Sequence, residues 1–380
     1  MIKFGSPQVA ETEIKNVLKV INSGVYVHGP MSASFETGFA KRFNYKNTIS
    51  VASCTAALHL SHYSLSKKIL ATRREKLEVI CPAMTHVATA HAIELAGLKP
   101  IFVDCNAEDG NIDVGLIEEK ISGLTVGIAP MHFNGLPCDM VEIMKIAERY
   151  SLYVVEDCAI SLGAKINGKP IGTYGDVGCF SFHPVKQMTT GEGGMIVTKS
   201  NDLKETLFLE RAFGVDRTFT ERTINGVYDV PILGFNYRLP EIPAAIGIAQ
   251  LERFTEFENT RKRNFIQMTN LFSNFDRLKI KGGQISDDRA YYCLIAELTN
   301  STIDERNTLV NSFKDNGLQT SIYYPHPVPR LKYYADKYGY DKNEFKNAIN
   351  FSDNCISFSI GAHLSDLEIC KTADIINRNI

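Results

Sequence analysis

Short apolar segments alternate with helical segments over the first two-thirds of the chain, and this alternation restricts the possible folds more than any other feature. The apolar segments are too short for helices and rich in Val, Ile and Phe, which is typical of strands buried on both faces. The predicted strands are residues 48–52, 77–81, 100–104, 126–129, 152–156, 177–182 and 194–198. The pattern predicts an α/β fold, with a large domain in which helices flank a mostly parallel sheet.

The character of the sequence changes after about residue 255. A basic stretch, Arg261-Lys262-Arg263, opens a predicted long helix, and we interpret its charges as a solvated helix face. Strand-like segments at residues 291–298 and 319–324 enclose a helix that ends at Gly317, which indicates a smaller C-terminal α+β domain. The predicted domains are residues 1–254 and residues 255–380.

Composition and charge exclude several classes of protein. The chain has 41 Lys and Arg and 43 Asp and Glu, a formal net charge of −2, which gives no support for a partner that is a nucleic acid or a charged membrane surface. No segment is apolar for long enough to span a bilayer, and the start of the sequence has no hydrophobic signal region, so we expect a cytoplasmic protein. None of the nine Cys forms a Cys-x-x-Cys pair, so we predict buried reduced thiols and no metal site.

Two groups of polar residues follow predicted strands, at the sheet edge where parallel α/β folds bind ligands. Ser53-Cys54-Thr55-Ala56-Ala57 begins a helix, whose free amides and Thr55 hydroxyl would suit an anion, although an ordinary N-cap explains the same residues. Glu156 and Asp157 end a central strand. In one interpretation, one of these carboxylates only caps the next segment. In the other, Asp157 stays ionised and holds a proton on a cationic partner such as a ring nitrogen.

The stretch from Gly178 to Met195 carries the most information about chemistry. A predicted strand ends at Phe182, the following loop contains a single lysine, Lys186, and a glycine-rich bend leads into the next strand. The neighbours of Lys186 are apolar or carry hydroxyl groups, and burial lowers the pKa of a lysine towards the neutral form that attacks a carbonyl. The alternative is a lysine that only contacts a phosphate or points into solvent.

Asp157, Ser181 and Lys186, in this order and spacing after Ser53-Cys54-Thr55-Ala56-Ala57-Leu58, resemble the pyridoxal-phosphate-dependent sugar aminotransferases of the DegT/DnrJ/StrS family, which have fold type I. The resemblance covers nearly the whole chain. Its most specific parts are Phe-Ser-Phe-His-Pro-Val-Lys at residues 180–186 and Thr-Gly-Glu-Gly-Gly-Met at residues 190–195.

The resemblance implies roles for three residues near the reacting centre. Lys186 forms the Schiff base with the aldehyde of pyridoxal 5′-phosphate and then moves the proton between substrate and cofactor. Asp157 keeps the pyridine nitrogen protonated, and His86 stacks on the cofactor ring.

The resemblance also implies how the cofactor phosphate is held. Thr55 and the amide of Ala56 lie on one side of the phosphate and Ser181 lies on the other. Asn236 reaches the phosphate from a neighbouring subunit, so the resemblance implies a homodimer with shared active sites.

Two departures from the family concern cofactor and substrate contacts. Ile160 stands where most relatives have Gln or His near the 3′-hydroxyl of the cofactor, and Ile cannot donate a hydrogen bond. Tyr323-Tyr324 replaces a His-Tyr pair, and Tyr cannot supply a positive charge to a nucleotide diphosphate. Tyr323 and Arg238 are candidate substrate-binding residues, although Arg238 could instead pair with Glu241.

The function implied by the resemblance is amino transfer from an amino acid, L-glutamate by family habit, to a keto-sugar that is linked to a nucleotide. A small phosphorylated ketone or a keto-cyclitol is an alternative acceptor. Dehydration is disfavoured because relatives that dehydrate have histidine in place of the lysine. A non-catalytic cofactor-binding or regulatory protein is a further alternative. The acceptor depends on the loops at residues 24–30, 214–228 and 323–329.

Overall fold

The computed structural model describes residues 1–71, 75, 77–216, 224 and 226–380 of the chain. These residues form a seven-stranded sheet, a three-stranded sheet and a two-stranded sheet, with helices packed around them. None of the helices in this described part combines the length and the apolar character that a membrane crossing requires. The predicted loop at 214–228 lies partly outside the described residues.

Regular elements alternate along the chain as the sequence predicted. The strands are β1 (Asn47–Val51), β2 (Glu78–Pro82), β3 (Lys99–Val103), β4 (Thr125–Ile128), β5 (Tyr153–Asp157), β6 (Lys165–Ile166), β7 (Lys169–Pro170), β8 (Val177–Ser181), β9 (Gly194–Thr198), β10 (Leu278–Lys281), β11 (Cys293–Leu298) and β12 (Cys355–Ser359). The α-helices are α1 (Glu11–Ser23), α2 (Pro30–Phe43), α3 (Cys54–Leu70), α4 (Val87–Leu95), α5 (Met140–Tyr150), α6 (Asn201–Glu210), α7 (Glu241–Phe272), α8 (Ile303–Asp315), α9 (Lys332–Tyr338), α10 (Lys346–Asn354) and α11 (Asp366–Asn379).

The large sheet has the strand order β1-β9-β8-β5-β4-β2-β3. Only β9 runs against its neighbours in this sheet, and the other pairings are parallel. Each strand predicted over the first two-thirds of the sequence is present, and most of the predicted strand ends differ from the observed ones by about one residue. The prediction of a mostly parallel sheet flanked by helices is confirmed.

Both faces of the large sheet are covered, which fixes where its strands end. On one face Val155 of β5 belongs to an apolar cluster with Leu58 of α3. On the other face its neighbour Val154 belongs to a cluster with Ile143 of α5. Because a slip of one residue would exchange these two faces, the register of β5 is strongly specified. The strand therefore delivers Asp157 to the carboxyl edge of the sheet.

The C-terminal part of the chain is built on the antiparallel sheet β10-β11-β12. Its core contains Phe265 of α7, Phe313 of α8, Phe358 of β12 and Ile376 of α11. The predicted strand at 291–298 is confirmed as β11, and the predicted helix before Gly317 is confirmed as α8. The prediction of a smaller α+β region at this end of the chain is thus confirmed in its elements.

Two other predictions for this region are wrong. Residues 319–324 do not form a strand, since their only bridge to the sheet is between Ser321 and Ser357. The basic stretch does not open a helix, because it lies in the middle of α7. Arg261 is buried in the protein, so its charge is not part of a solvated face. The predicted domain boundary at 254/255 also falls inside α7, and the division into two domains stays a prediction.

A buried carboxylate ties the central strand to the loop that precedes β8. Glu156 has no exposed surface, and it accepts hydrogen bonds from the amides of Gly172, Tyr174 and Gly175 at 2.7–2.8 Å. The Nε2 of His132 lies 3.1 Å from the same carboxylate. Glu156 therefore caps the amides of the loop before β8, whereas Asp157 caps the segment that directly follows β5 through the Ala159 amide.

Removal of the Glu156 carboxylate is expected to destabilise the protein strongly. The substitution Glu156→Ala would leave buried amide donors without partners, at a cost of about 3 kcal/mol or more in the free energy of unfolding. Glu142→Ala is the matched control, because Glu142 is half exposed and pairs with Lys145 on the surface. Urea unfolding should show a much lower midpoint for Glu156→Ala than for Glu142→Ala. Equal midpoints would contradict the capping role.

Candidate active site

A cavity of about 410 Å³ opens at the carboxyl ends of β1, β5 and β8. This volume is within the range of pockets that hold small organic ligands. The sequence-predicted residues that line it are Thr55, His86, Asp157, Ser181, Lys186 and Tyr323. The structure thus brings together residues that are far apart in the sequence, at the sheet edge where the sequence predicted a site.

Asp157 is held rigidly at the end of β5. Its side chain is 3 % exposed, and its carboxylate accepts hydrogen bonds from Thr89 Oγ1 at 2.7 Å and from the Ala159 amide at 3.0 Å. Thr85 must donate to Thr89, since their hydroxyls are 2.7 Å apart and the Thr89 proton is already used. A carboxylate can accept about four hydrogen bonds, so Asp157 keeps capacity for a cationic N–H group in the cavity.

Lys186 lies in the loop between β8 and β9 and directs its amine into a poorly solvated region. Burial lowers the pKa of Lys186, while the nearby Cys54 and Asp157 oppose this shift in that order. The Nζ atom is 5.4 Å from the centre of the Tyr292 ring. A lowered pKa increases the neutral fraction of the amine, which is the form that attacks a carbonyl group.

The turn between β1 and α3 combines both interpretations offered by the sequence. Ser53 is an ordinary N-cap, since its Oγ accepts a hydrogen bond from the Ala56 amide at 3.0 Å. Ala56 does not line the cavity, and its amide is occupied by this cap, whereas Thr55 does line it. A Cβ on Gly194 would lie 2.6 Å from the Ser53 carbonyl carbon, so only glycine lets β9 start this close to the turn. Ser181, at the end of β8, lines the same cavity.

His86 is both a helix cap and a wall of the cavity. Its Nδ1 accepts a hydrogen bond from the Ala88 amide at 3.2 Å, which places the proton of the neutral ring on Nε2. Burial is the largest cause that lowers the pKa of His86, and the charge of Lys186 adds to it. The ring is 5.7 Å from that of Tyr324. A neutral, fixed imidazole is suited to stacking on a planar ligand.

The two departures from the family pattern both lie in the cavity lining. Ile160 is buried there and offers no hydrogen-bond donor from its side chain. The hydroxyls of Tyr323 and Tyr292 are 2.8 Å apart, and burial raises the pKa of Tyr323 to about 12. Tyr323 is therefore a neutral donor at physiological pH, as expected from the sequence.

Asn236 and Arg238 do not line this cavity. Asn236 is exposed and forms a backbone bridge with Ala212. The guanidinium of Arg238 lies 4.8 Å from the ring centre of Phe213. The alternative of an Arg238 pair with Glu241 is wrong.

The Glu241 carboxylate is committed to the start of α2 instead. It accepts hydrogen bonds from the Met31 amide at 2.6 Å and from Ser32 Oγ at 2.7 Å. Within the described residues no ion pair joins Arg238 to a carboxylate. Burial lowers the pKa of Arg238, with a smaller contribution from Arg211.

Sequence reasoning missed several residues of the site, of which Arg261 had a detectable signal. Arg261 donates hydrogen bonds to the carbonyls of Lys186 and Tyr292. Its spacing from Phe257 and Phe265 is four residues in each direction, which places all three on one face of α7. This face is buried. Periodicity over the whole helix would have assigned Arg261 to the interior, whereas its charged neighbours suggested the surface.

His132, Glu156 and Cys158 are buried with possible ligand atoms within 4.8 Å of one another. Both ring nitrogens of His132 are already used, because Nε2 faces Glu156 and Nδ1 accepts a hydrogen bond from the Cys138 amide at 3.0 Å. The carboxylate is saturated by backbone amides. This group is therefore a structural hydrogen-bond network, and a metal ion would have to break it.

The lowered pKa of Lys186 can be measured by competitive acetylation of the cofactor-free protein. Lys337 is the comparison, because its hydrogen bonds to Glu94 and Tyr333 raise its pKa. Only the neutral amine is acylated, so Lys186 should reach half-maximal labelling at a lower pH than Lys337, as read by peptide mass spectrometry. Labelling of Lys186 at the same pH as Lys337 or above it would contradict the environment described for its amine.

Comparison with known proteins identifies the family. The sequence profile of the DegT/DnrJ/EryC1/StrS aminotransferase family matches residues 7–377. The chain is 35% identical over 304 residues to the GDP-perosamine synthase of Escherichia coli O157:H7, covering 80% of this chain and 79% of that protein. It is 29% identical over 367 residues to the UDP-N-acetyl-3-dehydro-alpha-D-glucosamine 3-aminotransferase of Acidithiobacillus ferrooxidans, covering 95% and 92% of the two chains.

Solved structures show the same fold. PseC of Helicobacter pylori, an aminotransferase of pseudoaminic acid biosynthesis, has a TM-score of 0.93 at 23% identity, covering 100% of this chain and 98% of that one. The PLP form of the sugar aminotransferase Spr1654 of Streptococcus pneumoniae, whose assignment is itself provisional, has a TM-score of 0.88 at 25% identity, covering 100% and 99%. The predicted fold class is confirmed. The chain belongs to the DegT/DnrJ/EryC1/StrS aminotransferase family and is a PLP-dependent aminotransferase.

Proposed function

We propose that this enzyme binds pyridoxal 5′-phosphate in the cavity at the sheet edge and transfers an amino group from L-glutamate to the keto group of a nucleotide-linked sugar. The observation that carries the proposal is that Lys186 and Asp157 line one cavity together with the hydroxyl residues Thr55 and Ser181. The nucleotide-linked acceptor is supported by the relatives, a GDP-perosamine synthase and a UDP-sugar 3-aminotransferase.

The donor set of the cavity fits each part of the cofactor. A buried carboxylate with spare accepting capacity, Asp157, suits a protonated ring nitrogen. The hydroxyls of Thr55 and Ser181 and the start of α3 suit a phosphate group. The amine of Lys186 suits an aldehyde. When bound, the cofactor supplies a carbonyl that takes up the amino group and a ring that stabilises negative charge on the adjacent carbon.

The protein side chains then perform three tasks. Lys186 would hold the cofactor through its aldehyde, and its Nζ, once released by the amino donor, would move a proton, since burial favours the neutral amine. Asp157 would accept a hydrogen bond from the protonated ring nitrogen. His86 presents a neutral face to the ring, and Ile160 leaves the 3′-hydroxyl without a donor from its position.

Chemistry at Lys186 can be tested on the purified enzyme with added cofactor. We expect a visible absorbance band and, after borohydride reduction, a stable adduct on the peptide that contains Lys186. Lys186→Ala should lose the adduct and lower turnover by at least about 100-fold, whereas Lys165→Ala, which removes an exposed lysine from a separate surface cleft, should retain both. Absence of the adduct in the wild-type enzyme would contradict the proposal.

The acceptor is tested by comparing keto substrates with L-glutamate as the donor. Nucleotide-linked keto-sugars should be aminated much faster than small keto-phosphates or keto-cyclitols. The opposite order would show that the acceptor is a small ketone, in keeping with the neutral Tyr323 at the cavity. Formation of a dehydrated product without glutamate consumption would contradict amino transfer altogether.

A second copy of this chain is the partner that we propose. The residues Ile14, Leu18 and Ile21, on one face of α1, are 45–54% exposed. A soluble protein rarely leaves such a stripe uncovered. The adjoining residue Tyr26 is also half exposed, and its carbonyl accepts a hydrogen bond from the Glu241 amide at 2.9 Å. The chain that follows the stripe is therefore hydrogen-bonded to Glu241, five residues after Asn236.

In the proposed homodimer the exposed apolar stripe is covered and Asn236 reaches the cofactor phosphate of the partner. This arrangement explains why Asn236 is exposed and does not line the cavity of its own chain. A cytoplasmic location is a further part of the proposal, supported by nine cysteines that form no disulfide, eight of which are buried.

Dimer formation can be tested by sedimentation of charge variants of α1. Leu18→Glu should shift the wild-type dimer towards monomer and reduce turnover, because an ionised carboxylate would be buried in the interface. Lys19→Glu is the control, since Lys19 is exposed on a different face of α1, away from the apolar stripe. A wild-type protein that stays monomeric at all concentrations would contradict the shared active site.

A further inference from the structure

Arg261 is a buried cation directly beneath the loop that carries the reactive lysine. It is 9 % exposed, and no carboxylate of the described residues pairs with it. Its two terminal nitrogens instead donate to backbone carbonyls, Nη1 to that of Tyr292 at 3.0 Å and Nη2 to that of Lys186 at 3.3 Å. Burial of a guanidinium costs free energy, so these two hydrogen bonds indicate that Arg261 has a specific role at the two carbonyls.

The two carbonyls belong to residues whose side chains meet. The amine of Lys186 is 5.4 Å from the ring centre of Tyr292. The Tyr292 hydroxyl is 2.8 Å from that of Tyr323, which lines the cavity. The planar guanidinium of Arg261 thus connects the backbone of Lys186 to the backbone of Tyr292, the residue whose ring lies beside the Lys186 amine.

The loop around Lys186 is also held at Gln187, whose Nε2 donates to the Ile160 carbonyl at 2.7 Å, and at Thr189, whose amide donates to Gln250 of α7 at 3.3 Å. The Lys186 amide donates to the His183 carbonyl at 2.9 Å. Its carbonyl accepts no second hydrogen bond within the described residues. Between the end of β8 and the start of β9 the chain has no regular secondary structure. Gln250 therefore holds the loop three residues beyond Lys186, whereas the fork of Arg261 binds the backbone of Lys186 itself.

We infer that Arg261 is a positioning residue for Lys186, which holds the lysine and Tyr292 in the mutual geometry that proton transfer requires. This inference rests on the proposed function of Lys186. A displacement of about 1 Å of a reacting group can cost about 100-fold in rate, so the restraint should act mainly on the chemical step. Substrate binding, which depends on other walls of the cavity, should change little.

Kinetics of the loaded enzyme test this role with three variants. Arg261→Met removes both hydrogen bonds and keeps an unbranched side chain, and Arg261→Lys restores a cation without the planar fork. Arg263→Met is the matched control, because Arg263 is exposed on the same helix, and its ion-pair contact is to Asp366 at 3.5 Å. Turnover is expressed per bound cofactor, so that a loss of folded protein does not count as a loss of rate.

For Arg261→Met we expect kcat to fall by about 10- to 100-fold, while KM for donor and acceptor changes by less than about threefold. Arg261→Lys should recover part of the lost kcat, and Arg263→Met should match the wild type. Unchanged kcat in Arg261→Met, or a loss confined to KM or to stability, would overturn the inference. If Arg261→Met does not fold, Arg261→Lys is the test of the inference. A fully cofactor-loaded Arg261→Lys enzyme with the kcat of the wild type would equally overturn the inference.

The inference and the proposed function fail in different ways. A wild-type enzyme that forms no adduct on Lys186 and transfers no amino group would refute the proposed function. An active wild-type enzyme whose kcat is insensitive to Arg261 would refute only the positioning role.

Discussion

The site depends on the pairing of β5 with β8, two parallel strands whose side chains are buried on both faces. Asp157 is opposite Cys179 in this pair, and the Cys158 amide donates to the Cys179 carbonyl at 2.8 Å. Ser181 therefore ends its strand two residues beyond the partner of Asp157. Since neither strand can slip without exposing apolar residues, the carboxylate and the hydroxyl are held in one relative position. The loop that follows β8 then places Lys186 over the same edge.

The cavity also contains two titratable side chains, Asp157 and Lys186, that differ in how many hydrogen bonds replace their contacts with water. The Asp157 carboxylate accepts hydrogen bonds from Thr89 and from the Ala159 amide, which replace those that water would provide. No hydrogen bond to the Lys186 amine comes from the residues that the structure describes, and burial moves the amine towards the neutral form. Burial thus favours the neutral amine that amino transfer needs, in the same cavity as a carboxylate with capacity for a cationic N–H group.

Much of this arrangement could be predicted from the sequence. The strands were predictable because burial on both faces demands short continuous runs of Val, Ile and Phe. The residues at the strand ends were predictable because parallel strands present their carboxyl ends at one edge. The family resemblance then gave Lys186 and Asp157 their roles, and the structure places both in one cavity.

Other features required three-dimensional information. Residues 319–324 have a strand-like composition, but they leave the small sheet after one bridge and bring Tyr323 to the cavity. The burial of Arg261 was hidden by its charged neighbours, since a local run of charges outweighed the apolar periodicity of the helix. Thr89 contacts Asp157 across 68 positions of sequence, and no local pattern reports such a contact. The role proposed for Asn236 involves a second copy of the chain, so the fold of one chain does not report it.

The central claim is that Lys186 and Asp157 flank one cofactor ring. A crystal structure of the enzyme with pyridoxal 5′-phosphate tests it most directly. The account predicts continuous density between the Lys186 side chain and the cofactor, with the Asp157 carboxylate within hydrogen-bond distance of the ring nitrogen. A cofactor bound elsewhere, or one whose ring nitrogen faces away from Asp157, would contradict it.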